Sequence, residues 1–175
     1  MLTAQEIIER LGLRPHPDEG GFFAETYRAQ ERLAAPALHP RYGGPRTVST
    51  AIYYLLTPDT VSALHRLASD EVFHFYMGDP VEMLHLLPDG AQRTVTLGQD
   101  LIAGMVPQVV VPAGVWQGAR LVAGGKWALL GCTVAPGFEF ADYEHGRRQP
   151  LARAYPGARD LIVALTRYDI GHDAR

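Results

Sequence analysis

The chain holds a single cysteine, Cys132, so no disulfide can form within it and its thiol content does not point to an oxidising compartment. Set in the apolar run WALLGCTV, that cysteine reads as a small buried side chain rather than a nucleophile. No stretch approaches the roughly 20 apolar residues a membrane-crossing helix needs. The opening MLTAQEIIER becomes charged too soon for a signal peptide, so a cytoplasmic protein without a membrane partner is expected. Basic clusters are missing too. Sixteen Lys and Arg face 19 Asp and Glu, the formal net charge is -3, and the densest basic group is Arg147-Arg148. Neutralising phosphates needs more than that, so nucleic acid is not an expected partner. A Gly-rich phosphate loop, Cys-x-x-Cys, His-Glu-x-x-His and Gly-x-Ser-x-Gly are all absent.

What is present suits one β-rich domain spanning residues 1–175. The 47% hydrophobic and 20% charged content is that of a globular protein, and 18 glycines with 13 prolines favour many short strands. Thr3 and Glu6 form a capping box, and Ile7, Ile8 and Leu11 recur at helical spacing before Gly12, which predicts a helix over about residues 4–11. Pro15, Pro17 and Gly20-Gly21 then lead into a strand from Phe22 to Tyr27. Residues 30–45, with three prolines, read as a surface loop. Strands are expected at Thr47–Leu56, Val61–Leu67, Val72–Met77, Val81–Leu87, Gln92–Leu97, Gln108–Val111, Gly118–Val122 and Trp127–Val134. Turn signals every ~8–12 residues between such runs mark a sandwich or closed barrel, with its core over about 21–143. Pro136-Gly137 ends the pattern, a helix is expected over about 157–166, and the tail 171–175 reads as frayed.

Chemistry concentrates in Ser62 to Gly78. Alternation along a strand puts His65 and Leu67 on one face with Val61 and Ala63, an apolar and therefore inward face. Glu71 follows after a turn at Ser69-Asp70. Imidazole and carboxylate brought together in this way can ligate a metal or act as an acid–base couple. His74 has the opposite parity to Phe73 and Phe75 and reads as structural, whereas His85 shares the parity of Met83 and Leu87 and is expected in a pocket wall. Trp116 and Phe22-Phe23 read as core or interface aromatics.

The stretch from His65 resembles the first motif of the cupin superfamily, with His65, Glu71 and Gly78 at matching positions. Val109 to Gln117 (VVVPAGVWQ) resembles the second. The resemblance implies an all-β jelly-roll barrel, the double-stranded β-helix, with a short helix at each end. Leu67 and Gln117 stand where that family carries its second and third histidines. The Gly20-Gly21-Phe22-Phe23 run with Glu25, Tyr27 and Arg28, and Ala135 to Phe138 with Asp142, are similar to a cupin branch catalogued as a domain of unknown function. Gly21-Phe22-Phe23-Ala24-Glu25 also resembles the opening strand of the metal-free nucleotide-sugar 3,5-epimerases, whose catalytic pair is a histidine base and a tyrosine acid.

These resemblances imply a small polar, carbohydrate-like ligand in the barrel. In a metal-free isomerase or epimerase His65 is the base, Glu71 orients it or shares its proton, and the acid is a tyrosine, Tyr53, Tyr54 or Tyr76. Gln117, Phe23, Glu25 and His85 are the expected ligand-binding groups. A metal enzyme would instead use the reduced set His65, Glu71 and Gln117 around one divalent ion. A sensing or storage module would use the same pocket without turnover. A homodimer through the N-terminal strands, with Phe22, Phe23 and Tyr27 in contact, is expected on the same grounds.

Overall fold

The computed structural model describes residues 2–166. Helix α1 (Ala4–Leu11) starts where the capping box places it. The Glu6 amide donates to Thr3 Oγ1 at 3.2 Å and the Thr3 amide to Glu6 Oε2 at 2.9 Å, which satisfies two donors that a helix start leaves open. Gly12 ends it in the left-handed region at φ 61°.

Thirteen strands follow: β1 (Arg14–Pro15), β2 (Phe22–Arg28), β3 (Arg32–Leu33), β4 (Arg46–Thr47), β5 (Thr50–Leu56), β6 (Ser62–Leu67), β7 (Asp70–Gly78), β8 (Val81–Leu86), β9 (Gln92–Leu97), β10 (Gln108–Val111), β11 (Trp116–Leu121), β12 (Ala128–Ala135) and β13 (Tyr143–His145). Helices α2 (Arg148–Ala154) and α3 (Arg159–Ala164) close the described chain. One sheet runs β1-β2-β5-β12-β7-β10, the second β13-β6-β11-β8-β9, and β3 pairs with β4 alone. Tyr54, Phe73 and Leu130 from the first sheet meet Met83, Leu97 and Ala119 from the second in one core. Outside the second sheet, Leu64, Leu84 and Leu86 are covered by Leu151, Ile162 and Leu165 of the C-terminal segment. Outside the first, Leu55 and Leu129 are covered by Ile7 and Leu13. Each such side chain contributes roughly 1.5–3 kcal/mol when fully buried. Double coverage explains why β5 reads as a near-continuous apolar run and why β6 is buried along almost its whole length.

Three register shifts shape the interior. Gln117 pairs with His65 but Ala119 with Ser62, so β6 carries an extra residue between them. A bulge reverses the facing of everything before it. Ser62 therefore turns inward, and Val61 joins the outer cluster under the helices rather than the face of His65. On β2, Glu25 pairs with Ile52 but Tyr27 with Ala51, which puts Phe23, Glu25 and Arg28 on one side. On β7 the shift falls between Phe75 and Met77.

Some expectations need correction. Residues 30–45 are not a bare loop: they hold β3 and 3-10 turns at Ala35–Ala37 and Pro40–Tyr42. Arg46 anchors the segment through a bidentate pair with Asp142, Nε to Oδ2 at 2.7 Å and a terminal nitrogen to Oδ1 at 2.6 Å, both side chains buried. Arg46–Thr47 belongs to that hairpin rather than to β5. Helix α2 was not expected because Pro150 interrupts its sequence. It falls in the first turn, where its missing N–H is not needed. The C-terminal helix is a 3-10 turn at Pro156–Ala158 running into α3, and the frayed tail expected at 171–175 lies outside the described residues. Phe22 packs on the α1 side and Phe23 in the core, so of the three aromatics assigned to an interface only Tyr27 is exposed. No helix among the described residues is long and apolar enough to cross a membrane.

Candidate functional site

A cavity of about 280 Å³ opens between the sheets, just below the common range of roughly 300–1,000 Å³ for small-molecule sites. His65 and Glu71 line it, as does the segment between β1 and β2. That segment folds back because Gly20 and Gly21 take positive φ, 99° and 67°, where a Cβ is disfavoured. A Cβ on Gly21 would also lie 2.8 Å from the Leu55 carbonyl. The Ala63 amide donates to the Glu19 carbonyl at 2.9 Å, which fastens the fold-back to β6.

Glu19 arrives in the site by this route. The inward-turned Ser62 hydroxyl donates to its Oε1. Its Oε2 lies 3.9 Å from His65 Nε2, and Glu71 Oε2 lies 3.9 Å from the same nitrogen. His65 Nδ1 is 2.7 Å from the Ala63 carbonyl, which can only accept, so this nitrogen carries hydrogen and Nε2 is the atom turned to both carboxylates. His65 is 1% exposed. Burial disfavours the imidazolium, but the charge of Glu19 and the hydrogen bonding and charge of Glu71 outweigh it and push the pKa up to about 9. The Tyr143 ring stacks on the imidazole with centroids 5.1 Å apart and planes 19° from parallel.

Gln117 sits behind Glu71 and donates from Nε2 to Glu71 Oε2 at 2.6 Å. Across the second sheet Gln117 pairs with His85, and His85 with Arg93, all on the inner face. Arg93 Nε donates to His85 Nδ1 at 3.0 Å, so the other ring nitrogen bears the proton. Burial first, then the Arg93 charge, push the His85 pKa down to about 4. His85 Nε2 and Gln117 Oε1 are both buried without a hydrogen-bond partner.

His16 and Arg14 complete the wall opposite. The amides of Asp18 and Glu19 donate to His16 Nδ1 at 3.3 and 2.9 Å. Its proton is therefore on Nε2, and burial holds its pKa below the usual histidine value. On β2, Arg28 donates to both oxygens of Glu25 (3.0 and 2.8 Å) and to Glu139 at 3.1 Å. Cys132 also lines the cavity, and burial together with the nearby Glu71 and Glu19 charges raises its pKa well above normal. That opposes a thiolate.

Of the residues expected from sequence, His65, Glu71 and Gln117 come together, and Phe23 and Glu25 stand in the cavity wall, Glu25 with its carboxylate paired to Arg28. Tyr53 does not reach the site. It lies on the outer face, edge-on to Tyr76 with centroids 6.1 Å apart, and packs with the α1 cluster. Tyr54 is inside but donates its hydroxyl to the Gly20 carbonyl at 2.8 Å. His85 is inward yet walled off from the cavity, and His74 bridges Thr133 and Gln108 as a structural residue. Glu19, His16, Arg14 and Tyr143 were not singled out. The signal for the first two was a Glu directly before paired glycines, with a His three residues ahead of it.

The metal set His65, Glu71 and Gln117 does not suit an ion. Gln117 turns its donor nitrogen to Glu71, Leu67 offers no ligand, and among the described residues no group of three or more His, Cys, Asp and Glu is placed to hold one.

Residues 5–146 match the family model described as Cupin superfamily (DUF985). The chain belongs to that family. The uncharacterized protein YML079W of Saccharomyces cerevisiae is 32% identical over 151 residues, 81% of this chain and 74% of its own. A hypothetical protein from Leishmania major superposes with a TM-score of 0.84 at 32% identity, over 94% of this chain and 99% of that one. Protein SO0799 from Shewanella oneidensis gives 0.83 at 35%, over 95% and 99%. A cupin 2 domain-containing protein from Halorhodospira halophila (TM-score 0.51, 14% identity, 79% of this chain and 83% of that one) shares the fold alone. The two departures from the cupin motifs, Leu67 and Gln117, thus sit in a cupin barrel whose polar centre is built from His65, Glu71 and the added Glu19.

Proposed function

We propose that this cupin binds a small polar carbonyl compound in the barrel and moves a proton on it without a metal, in the manner of an isomerase or epimerase. The observation that supports this is His65 Nε2, 3.9 Å from each of two carboxylates at the wall of a closed-in cavity. From sequence His65 was cast as the base. A ring that stays protonated to about pH 9 is better suited to give a proton than to take one at neutral pH. His65 would donate its Nε2 proton to the carbonyl oxygen while Glu71, held through Oε2 by Gln117, takes the proton from the adjacent carbon. The product is an enol, and reversal of both transfers regenerates the ketone, which carries solvent hydrogen once protonated Glu71 has exchanged; epimerisation would need a further proton donor on the opposite face. Glu19 would hold the imidazolium in place, and Tyr143 would fix its plane. The likeness of the Gly21–Glu25 strand to the 3,5-epimerases belongs to the same proposal.

The test is solvent exchange in D₂O, followed by proton NMR, on a panel of keto-sugars and 2-keto acids. Wild type should wash out the proton next to the carbonyl of at least one compound, and His65→Asn should slow this by roughly 10²–10⁴-fold, the usual worth of acid–base catalysis. Equal exchange with both proteins refutes the proposal. Binding without exchange would favour a sensing module. One equivalent of metal in protein purified without chelator would favour a metal enzyme.

A further inference from the structure

Hydrogen-bond capacity in the cavity is unevenly met. The carboxylates all have protein donors: Glu19 has Ser62, Glu71 has Gln117, and Glu25 and Glu139 share Arg28. Two donors have no acceptor. His16 is 8% exposed, its Nδ1 is spent on two amides, and no group among the described residues accepts from Nε2. That atom is also not among the buried ones cut off from solvent, so its N–H opens on the cavity that His16 lines. Arg14 lines the same cavity, and its guanidinium lies 5.0 Å over the Phe23 ring with no carboxylate or carbonyl partner among the described residues. His16 packs on that same ring at 4.7 Å, so the two open donors are gathered around one aromatic side chain.

Resting on the proton-transfer reading of the site, we propose that its ligand carries an anionic oxygen group, a carboxylate or a phosphate, which Arg14 and His16 Nε2–H hold at the Phe23 end of the cavity. Planar guanidinium with a second N–H donor is a good match to such a group. Phe23 fixes the guanidinium plane by cation–π contact and lowers the cost of ordering a long side chain. The ligand's anionic end would thus lie apart from the Glu19–His65–Glu71 cluster, where its carbonyl must sit.

The probes are malonate, inorganic phosphate and the neutral malonamide, titrated into full-length protein while the His16 and His65 imidazole resonances are followed by NMR. One of the two anions should shift His16 in a saturable way and malonamide should not, which also tells carboxylate from phosphate. Arg14→Met, which keeps an apolar stem on Phe23 at an exposed position, should weaken that binding at least tenfold. The inference is overturned if neither anion moves His16 at tens of millimolar, or if Arg14→Met binds as wild type does. The two proposals fail separately. Anion binding with no solvent exchange in any bound keto acid removes the proton transfer and keeps the subsite. Exchange of a 2-keto acid at the same rate in wild type and Arg14→Met, at sub-saturating concentration, removes the subsite and keeps the proton transfer.

Discussion

Replacing Glu19 by glutamine should take the proton off His65 near neutral pH. At 3.9 Å and an effective dielectric of ~20, each carboxylate attracts the imidazolium by about 4 kcal/mol. Two of them give about 8 kcal/mol, against a desolvation cost of several kcal/mol for a fully buried ring. The folded pKa of about 9 against the ordinary 6.5 corresponds to a net gain of about 3 kcal/mol, so desolvation offsets about 5. Losing one carboxylate removes more than the whole net gain, and the His65 pKa should fall by roughly two to three units. The folded pKa is raised, so its stabilising contribution is complete below about 6.5 and disappears as pH rises through about 9. Wild type should therefore lose about 3 kcal/mol in urea unfolding over that window, and Glu19→Gln much less. Imidazole NMR titration from pH 5 to 10 reads the same quantity directly. A wild-type His65 midpoint at or below 6.5, or one unmoved by Glu19→Gln, would refute the reasoning.

His85 has the opposite sign: its folded pKa of about 4 means stability is lost as pH falls from 6.5 toward 4, and His85→Leu should flatten that part of the urea-midpoint profile. Gly78→Ala puts a Cβ 2.4 Å from the Trp127 carbonyl at a φ of 104°, and should cost about 2 kcal/mol or more in chemical unfolding. Arg46→Met leaves Asp142 buried without its partner, so a loss of roughly 3–5 kcal/mol is expected by the same measurement. The dimer proposed through the N-terminal strands would use Ala24–Arg28, whose edge β1 leaves open, and sedimentation showing only monomer would contradict it.

The barrel was legible because its signals are local and repeated. Turn residues between β-rich runs, a capping box and a left-handed glycine each act within a few positions, and β8, β9 and β10 begin where the sequence places them. The His65–Glu71–Gln117 cluster was legible for a different reason, the match of spacing to the cupin motifs. Parity served less well. It placed His65 inward correctly but put Val61 beside it, because an extra residue in β6 leaves no mark in the alternation of a strand buried on both faces. Tyr53 failed in a related way: with α1 covering the first sheet, its outward face is as apolar as its inward one, and composition cannot say which side a tyrosine takes.

What no periodicity carries is the fold-back between β1 and β2. Its course depends on bonds to distant partners, His16 to Gly21 within the turn and Glu19 to Ala63 across to β6. The two irregularities need each other. Without the β6 bulge Ser62 would face the helices, and Glu19 Oε1 would lose its donor. Without the paired glycines Glu19 would not reach β6 at all. The second carboxylate beside His65 thus exists only because a bulge and a glycine turn, with Glu19 and Ser62 43 residues apart, meet at one hydroxyl. That carboxylate also changes the chemistry. A His65–Glu71 pair alone would leave the imidazole near the balance of burial against one attraction, open to acting as base or metal ligand. With Glu19 added the balance passes to the imidazolium, which is why the proposed reaction uses the barrel's central histidine as proton donor rather than base.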